Sequence, residues 1–440
     1  MQNLFITTTV SALLLAGTAS SQINAKLYVT NNWTNSGVSV IDPATNILLR
    51  TIATGDYPTG IVYATDTNQV YVAQNFGVAV IDVITDAVTS QVSIPGGAYR
   101  LLLSNDKSTL FIAGASGIVT AMDRATLTLK QTAQPNPSAF LLGLACSQDG
   151  SKLFASSGGG GASTSQGLWV FDSSTLTLLA QISLPQDPRG VTLSPDGSQV
   201  WVASESGYVT VVDPNTYAII ATIPTPLDAN EIAFNAAGTT AYVTANTVFA
   251  VINPVTYSVT SVNRLDGTAW GRFRVQAQSI VLGPDQQAYF PVTFDQSPST
   301  SGVAVVNLTS NNVTMMIPTP FGAWSGAFSG QTPSISLYLS GPIHPQKSGA
   351  VTVAVLGSAA FNPLATLDVS SLKFGATGNE RSLVSCGIGG EDVNRDGYSD
   401  LVCHFDVQLT NLQLGATQAY LRGQTVSHNE FVGTVSVTVN

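Results

Sequence analysis

A unit of about 43 residues recurs seven times along this chain, and such a repeat limits the folds it can adopt more than any other feature. Each unit opens with an aromatic residue at the head of an apolar stretch: Tyr28, Tyr71, Phe111, Phe154, Trp201, Tyr242 and Tyr289. A second apolar stretch ends in Asp or Asn, at Asp42, Asp82, Asp123, Asp172, Asp213, Asn253 and Asn307. A unit of this length must stack on its neighbours to bury a core, which predicts a repeat architecture.

Each unit reads as four short strands, A to D, joined by turns rich in Gly, Pro, Asp and Ser. The aromatic opens strand B, the Asp or Asn ends strand C, and strand A precedes a turn such as Ser194-Pro-Asp-Gly-Ser198. Four strands make one propeller blade, whereas a β-sandwich array would need units of about 100 residues. The sequence therefore predicts an all-β chain, with a seven-bladed β-propeller over residues 26–340 and a small β-sandwich-like domain over residues 341–440.

The order of the strands also predicts how the ring closes. The chain enters the first blade at strand B, so only six A strands lie between the seven B–C–D sets. The seventh A-like segment is Trp324–Phe328, at the far end of the repeat. We expect this segment to pair beside Tyr28 and complete the first blade, because ring closure removes the free edges of an open sheet.

The repeat resembles the propeller family named after its Tyr-Val-Thr-Asn signature. The signature itself occurs at Tyr28-Val29-Thr30-Asn31, and Tyr242-Val243-Thr244 and Val38–Pro43 are further matches. The resemblance covers Lys26–Gly330 and implies a seven-bladed ring. It implies little about activity, because this scaffold serves surface proteins, lactone-hydrolysing enzymes and redox subunits alike.

The first 25 residues differ from the rest and are predicted to be a signal peptide. Leu4–Gly17 is an apolar run without charge, too short for a membrane span, and small and polar residues follow it. We therefore expect the protein to be secreted, periplasmic or on the cell surface. The net charge of −10 argues against nucleic acid, and no later segment is long enough to cross a bilayer.

The three cysteines fit an exported protein. Cys386 and Cys403 lie 17 residues apart around a turn-rich segment and are predicted to form a disulfide. Cys146 is left over and is expected to be a small buried residue.

The loops that vary in length point to one face as the binding face. The A–B and C–D turns are nearly uniform, whereas every insertion falls in B–C or D–A loops, which strand alternation places on the same side. The ligand-binding residues predicted on this side are Trp270, Arg272, Arg274, Arg100, Arg189 and Trp324. Other residues of its D–A loops are Asp56, Tyr57, Tyr99, Asp187, Asp228 and Glu231. Trp and Arg can stack on and hydrogen-bond a sugar or an acidic peptide, but they can also simply fill the central channel.

The repeat contains few of the residues that commonly carry out catalysis. His344, His404 and His428 all follow residue 340, so residues 26–340 supply no imidazole base or metal ligand, and Cys-x-x-Cys-His does not occur. The leading hypothesis is an exported, non-catalytic binding or surface protein whose partner is a protein, a glycan or a small molecule. The alternatives are a lactonase-like hydrolase with a carboxylate and Arg site in the channel, and a periplasmic redox subunit.

The C-terminal region carries a predicted calcium loop. Oxygen-bearing residues at loop positions 1, 3, 5 and 9, with Gly397 at position 6, follow the calcium-loop pattern. The predicted ligands are Asp392, Asn394, Asp396, Tyr398 through its carbonyl, and Asp400. Position 12 is Cys403 instead of an acid, and Asp406 is a candidate for that role. The alternative is a hydrated Asp/Asn-rich turn.

The calcium-loop segment is similar to the Asp-rich loops of dockerins and integrin-type propellers. The whole tail resembles a C-terminal module of exported bacterial proteins, through VAVLGS, the Asp-rich loop, LVCHFD and TQAYLRGQT. These resemblances imply a structural calcium site and no activity.

Overall fold

The structure is a computed structural model. It describes residues 25–440 except 35, 115–116, 159–165, 185–186, 236, 266–274, 278, 284–285, 295–300, 321, 330–334, 336, 340, 358–361, 388 and 426–429. Apart from Ala25, the predicted signal peptide lies outside the described residues. So do Trp270, Arg272 and Arg274 of the predicted binding face.

The described part of the chain before residue 330 forms seven successive antiparallel sheets, as the repeat predicts. Blades 1 and 2 contain β1 (Lys26–Asn31), β2 (Gly37–Asp42), β3 (Ile47–Ala53), β4 (Ile61–Ala64), β5 (Gln69–Gln74), β6 (Gly77–Asp82) and β7 (Ala87–Ser93). Blades 3 and 4 contain β8 (Arg100–Leu103), β9 (Thr109–Ala113), β10 (Val119–Asp123), β11 (Thr128–Ala133), β12 (Leu141–Cys146), β13 (Lys152–Ser157), β14 (Gly167–Asp172) and β15 (Leu178–Ile182). Blades 5 and 6 contain β16 (Pro188–Leu193), β17 (Val200–Ser204), β18 (Tyr208–Val212), β19 (Ile219–Pro224), β20 (Ala229–Phe234), β21 (Ala241–Ala245), β22 (Val248–Asn253) and β23 (Ser258–Arg264). Blade 7 contains β24 (Val275–Ala277), β25 (Val281–Leu282), β26 (Gln287–Phe294), β27 (Ser301–Asn307) and β28 (Asn312–Thr319).

The ring closes through β29 (Ala323–Ser329), which supplies strand A of blade 1. β29 runs antiparallel to β1, with Leu27 opposite Phe328 and Tyr28 opposite Ala327. The predicted pairing of Trp324–Phe328 beside Tyr28 is therefore confirmed. Because the first and last strands of the propeller share one sheet, β1 is hydrogen-bonded on both sides and leaves no open edge.

The burial of each strand follows its place in the blade. Strands B and C, such as β5 and β6, are buried along nearly their whole length because neighbouring blades cover both faces. Strand D lies at the outer rim, and in β7 exposed residues alternate with half-buried ones. The apolar runs of the repeat are thus B and C strands packed between blades.

The aromatic that opens strand B connects adjacent blades. The Tyr28 hydroxyl in blade 1 donates to Asp86 Oδ1 in the C–D turn of blade 2, at 2.7 Å. Burial, together with the neighbouring Asp86 carboxylate, raises the pKa of Tyr28. Across the ring closure, the Tyr289 hydroxyl of blade 7 lies 3.2 Å from Asn46 Oδ1 of blade 1. The aromatic landmark therefore has a structural role in these two blades, because it anchors blade 1 to blade 2 and blade 7 to blade 1.

The C-terminal unit consists of two sheets around one core. Its first sheet has the order β30 (Leu337–Leu339), β31 (Ala350–Val355), β34 (Leu401–Asp406), β33 (Leu383–Cys386), and its second has the order β32 (Leu367–Gly375), β35 (Gln418–Thr425), β36 (Glu430–Ser436). A short helix α1 (Pro363–Thr366) and a 3₁₀ turn (Val407–Thr410) connect the strands. Phe374, Phe405 and Phe431 are buried between the sheets, as expected of a β-sandwich-like domain.

The C-terminal core extends upstream of the predicted boundary at residue 341. β30 pairs with β31 and not with the propeller, and Ile335 packs into the same core. The helices in the described part of the chain are all too short to cross a membrane.

Candidate functional site

Strand A of each blade lines the central channel, and one position in it defines a ring. This position lies four residues before the residue that begins the A–B turn. The residues at this position in the seven blades are Gly60, Arg100, Gly143, Gly190, Glu231, Ser279 and Ser325. Five members of the ring are small and two are charged. A Cβ atom on Gly60 would lie 2.7 Å from the Tyr99 carbonyl oxygen of the next blade, so neighbouring A strands approach too closely for a side chain.

The two charged members of this ring face each other over a cavity of about 210 Å³. Arg100 Nη2 in blade 3 lies 3.4 Å from Glu231 Oε2 in blade 6. Arg100 Nε donates to the Leu142 carbonyl at 2.7 Å, and the guanidinium stands 5.6 Å from the centre of the Tyr99 ring. Arg100 is thus held from three sides and directed toward the opposite blade.

Burial raises the pKa of the Glu231 carboxyl, and the positive charge of Arg100 only partly offsets that effect. A low-polarity environment disfavours the charged form of an acid, whereas a nearby cation favours it. Among the described residues that line the cavity, Glu231 is the single carboxylate. The described lining of the cavity therefore offers one cation and one acid with a raised pKa.

Arg189 and Trp324 sit one residue before the ring, at the loop end of their strands. Arg189 forms an ion pair with Glu205, which lies in the B–C loop of the same blade. The Arg189 Nε and Trp324 Nε1 atoms are buried and have no hydrogen-bond partner among the described residues. The structure thus places Arg100, Arg189 and Trp324 at one end of the channel.

Backbone hydrogen bonds confirm that the B–C and D–A loops share one face, which we call the loop face. The Tyr57 amide, in a D–A loop, donates to the Trp33 carbonyl in a B–C loop at 3.0 Å. In blade 5 the Glu205 amide donates to the Asp187 carbonyl at 3.0 Å. The side chains of Asn246 and Asp228 make a further loop-to-loop hydrogen bond.

Buried polar atoms without a partner concentrate on the loop face. Nine buried side-chain N or O atoms lack a hydrogen bond among the described residues. Seven of them belong to residues at the loop ends of strands: Thr54, Gln74, Ser157, Arg189, Thr225, Thr319 and Trp324. Buried polar groups are nearly always hydrogen-bonded, so partners beyond the described residues are expected on this face.

On the opposite face, which we call the turn face, the recurrent polar groups are hydrogen-bonded, and Asn311 Oδ1 is one buried atom there without a partner among the described residues. Each Asp or Asn that ends strand C accepts the backbone N–H of a residue two or three positions ahead, as Asp213 does from Asn215 and Thr216. Asp149 in an A–B turn binds Ser147 and Ser151, and these hydrogen bonds lower its pKa to about 2. Arg422 of the C-terminal unit also donates to the Asp66 carbonyl in an A–B turn, at 3.2 Å. The recurrent Asp and Asn residues thus stabilise turns.

The predicted calcium loop is compact, and its side chains accept hydrogen bonds from its own backbone. The Asp396 amide donates to both Asp392 Oδ1 (3.1 Å) and Asn394 Oδ1 (3.2 Å), while the Gly397 amide donates to Asp392 Oδ2 at 2.9 Å. Gly397 has a φ of 91°, a conformation that glycine adopts readily. No group of three or more His, Cys, Asp or Glu side chains in the described residues is arranged to hold a metal. The loop's oxygen atoms come instead from a mixture of two exposed carboxylates, an amide and a backbone carbonyl.

Asp400 differs from the other predicted ligands because it is fully buried. Its two oxygen atoms accept the Gly357 amide at 2.7 Å and the Val393 amide at 2.8 Å, which tie the loop to the core. Cys386 and Cys403, on paired strands beside the loop, are joined by a disulfide, and Cys146 is free and buried. Asp406, the candidate for position 12, caps the 3₁₀ turn by accepting the Gln408 amide.

Sequence reasoning did not identify two features of the loop face. It placed Arg100 and Glu231 on this face without pairing them, because nothing in the local sequence shows which blades oppose each other. It also missed Trp33, Phe76 and Gln74, whose exposure or missing partner is visible only in the fold.

Comparisons with known proteins bear on the fold alone. No family model and no curated protein matches the chain. A solved structure of dihydro-heme d1 dehydrogenase NirN in complex with DHE is similar with a TM-score of 0.51 and 16% identity, over 70% of this chain and 76% of that one. Kuenenia stuttgartiensis hydrazine synthase is similar with a TM-score of 0.52 and 15% identity, over 70% of this chain and 99% of that one. Both similarities support the β-propeller architecture.

Proposed function

We propose that this chain is an exported, non-catalytic binding or cell-surface protein that holds its ligand or protein partner on the loop face. The observation that carries the proposal is that seven of the nine buried polar atoms without a partner among the described residues lie on that face. Loops that vary on a rigid scaffold are the usual place for recognition. The repeat pattern further supports assignment to the Tyr-Val-Thr-Asn-type propellers.

The mouth of the channel supplies the chemistry for recognition. Arg189 retains a buried Nε donor and Trp324 a buried indole N–H, both without partners in the described residues. Arg100 can exchange its carboxylate partner for a ligand anion, since guanidinium binds carboxylates in a fixed fork. Trp270, Arg272 and Arg274 would extend this mouth if their loop lies where its position in the sequence indicates.

A redox function draws less support than binding. The two similar solved structures are described as a dehydrogenase and a synthase, but identities of 15% and 16% carry no activity over to this chain. The propeller region of this sequence contains no histidine and no Cys-x-x-Cys-His, so it lacks the common protein attachments of haem.

A lactonase-like hydrolysis in the channel is the second candidate, and the observation in its favour is Glu231. A carboxyl whose pKa is raised by burial can serve as a general acid or base nearer neutral pH. Glu231 is nevertheless bonded to Arg100 and is the single carboxylate among the described cavity residues. A site that binds a metal through several carboxylates would need residues from the undescribed loops.

We further propose a structural calcium ion in the loop of residues 392–400. Asp392, Asn394 and Asp396 would provide side-chain oxygen and Tyr398 its carbonyl, the hard donors that calcium prefers. Asp400 would support the loop through its two backbone hydrogen bonds. The bound ion would neutralise the exposed acids and stiffen the loop.

The proposed export is consistent with the proposed calcium site. Extracellular fluid supplies calcium, and an oxidising compartment maintains a disulfide such as Cys386–Cys403.

A ligand screen on the processed protein tests the binding function. Glycans, peptides and lactones are each assayed for binding and for hydrolysis, with Arg189→Ala and Trp324→Ala as loop-face variants and Ile84→Ala, an exposed residue of a C–D turn, as the matched control. The proposal predicts saturable binding without turnover that weakens in the loop-face variants only. Turnover of a lactone that disappears in Glu231→Gln would favour the hydrolase instead.

A further inference from the structure

Three exposed aromatic rings lie on adjacent loops at the edge of the loop face, over blades 1 and 2. Trp33 belongs to the B–C loop of blade 1, Tyr57 to the following D–A loop, and Phe76 to the B–C turn of blade 2. Their exposed fractions are 43%, 42% and 73%. Large aromatic side chains usually bury most of their surface, so three exposed together need an explanation.

The backbone holds these three loops against one another. The Tyr57 amide donates to the Trp33 carbonyl at 3.0 Å, and the Asn75 amide donates to the Asp56 carbonyl at 3.4 Å. The Trp33 loop is also fixed at its base, where the Asn32 amide donates to the Gly322 carbonyl at 2.7 Å. Because these loops are already ordered, little conformational entropy is lost when a ligand binds to them.

Two buried polar side chains lie in the same loops as the rings. Gln74 Nε2 and Thr54 Oγ1 have no partner among the described residues. The Gln74 amide packs against Gly55, since a Cβ atom on Gly55 would come within 2.9 Å of Gln74 Oε1. Gln74 is therefore a buried side chain that packs against the Thr54–Tyr57 loop and supports it.

We propose that Trp33, Tyr57 and Phe76 form a platform that binds a neutral polysaccharide chain. The inference rests on the proposed binding function and gives it a ligand class. Aromatic faces cover the C–H surface of a sugar ring, and amide and hydroxyl groups match its O–H groups.

The charge around the platform favours a neutral ligand. The loop segments 31–34, 54–57 and 74–76 contain no Lys or Arg to receive an acidic glycan, and the chain carries a net charge of −10. Their one acid, Asp56, can accept sugar hydroxyls as carboxylates commonly do.

Binding to defined polysaccharides tests the platform. The full-length processed protein is run through native gels containing soluble β-glucan, xylan or starch, and is incubated with insoluble cellulose and chitin. Trp33→Ala, Phe76→Ala and Tyr57→Asn are compared with Tyr338→Ala, an aromatic exposed to 48% in the C-terminal unit. Asn replaces Tyr57 because that residue has a φ of 51°, which Asn tolerates. Melting curves confirm that every variant is folded.

We expect at least one neutral polysaccharide to retain the protein, with affinity lower by about tenfold in Trp33→Ala and unchanged in Tyr338→Ala. Failure of all five polysaccharides to retain the wild type overturns the platform, while the ligand screen still decides the general binding function. If the three platform variants are retained as strongly as the wild type, the platform is also overturned, and the glycan binds elsewhere. Binding of a peptide that depends on Trp33 shows that the ligand class is wrong.

Discussion

Arg100 of blade 3 and Glu231 of blade 6 meet over the central channel, with Nη2 and Oε2 3.4 Å apart. The five equivalent positions of the other blades are Gly or Ser, so this pair is the main polar feature of the ring. Curvature of the ring brings opposite blades within reach of one long side chain. The contact links the stability of the ring to the charge at the mouth of the channel.

Removing one partner of this pair should destabilise the protein more than removing both. Arg100→Ala leaves the Glu231 carboxyl without its cation, and we expect a loss of about 1–3 kcal/mol at pH 7, largely recovered in Arg100→Ala/Glu231→Gln. Because an acid with a raised pKa binds its proton more tightly in the folded state, the deficit of Arg100→Ala should shrink as the pH falls toward the ordinary Glu value near 4.5. Denaturant titrations at pH 4.5 and 7 measure both effects, and a double variant as unstable as the single one would contradict the pairing.

The close approach of A strands predicts that Gly143 tolerates no side chain. A Cβ atom there would lie 2.6 Å from the Arg189 carbonyl oxygen and 2.7 Å from the Val191 nitrogen. Gly143→Ala should lower stability by about 1–3 kcal/mol through backbone shifts. Gly389→Ala is the matched control, because nothing lies within 4 Å of its added Cβ. Equal melting temperatures for the two variants would show that the blades can separate without loss.

The fold was largely predictable from the repeat, whereas the site was not. Period and strand order predicted the blades and the closure at Tyr28, because each signal is local or recurs seven times. β30 and β33 carry no comparable signal, because they are short and their register depends on partner strands elsewhere in the chain. Trp33 and Phe76 gave no periodic signal, and an exposed aromatic cannot be distinguished from a buried one in sequence alone.

The loss of stability at acid pH should depend on the protonation of the turn-face aspartates. Hydrogen bonds from Thr126 and Lys130 lower the pKa of Asp123 to about 2, from an ordinary value of 3.8. A depressed carboxyl pKa stabilises the fold above about pH 4, and the contribution disappears as the pH falls through 2. Asp123→Asn keeps the acceptor, as Asn253 and Asn307 do, but lacks the charge. It should therefore melt below the wild type at pH 7, approach it near pH 2, and lose less stability between pH 4 and pH 2. Thermal melts across that range check the slope, and identical acid sensitivity in both proteins would argue against this origin.

Calcium should raise the melting temperature of the C-terminal unit, and EDTA should reverse the effect. Asp396→Ala should abolish the calcium-dependent shift with little change in EDTA, because its side chain is exposed and acts through the ion. Asp400→Ala should destabilise the protein in calcium and in EDTA alike, since it removes the acceptor of the Gly357 and Val393 amides. Melting that is indifferent to calcium in the wild type would leave the loop as a hydrated turn.

Chemical reactivity should separate the cysteines. Burial raises the pKa of the Cys146 thiol to about 12, so native protein should resist alkylation at pH 8. Unfolding without reductant should expose one thiol, and unfolding with reductant three. Mass spectrometry after alkylation counts them, and rapid labelling of native Cys146 would mean that its blade opens.

The central claim is that the loop face binds the ligand and the turn face has only a structural role. Locating the bound ligand tests this claim most directly. Hydrogen–deuterium exchange is measured with and without the polysaccharide or peptide that binds best in the screens. We predict slower exchange in the loop-face segments 31–34, 54–60 and 204–208, and unchanged exchange in the C–D turns 42–47 and 213–218. Protection confined to those C–D turns would contradict the claim.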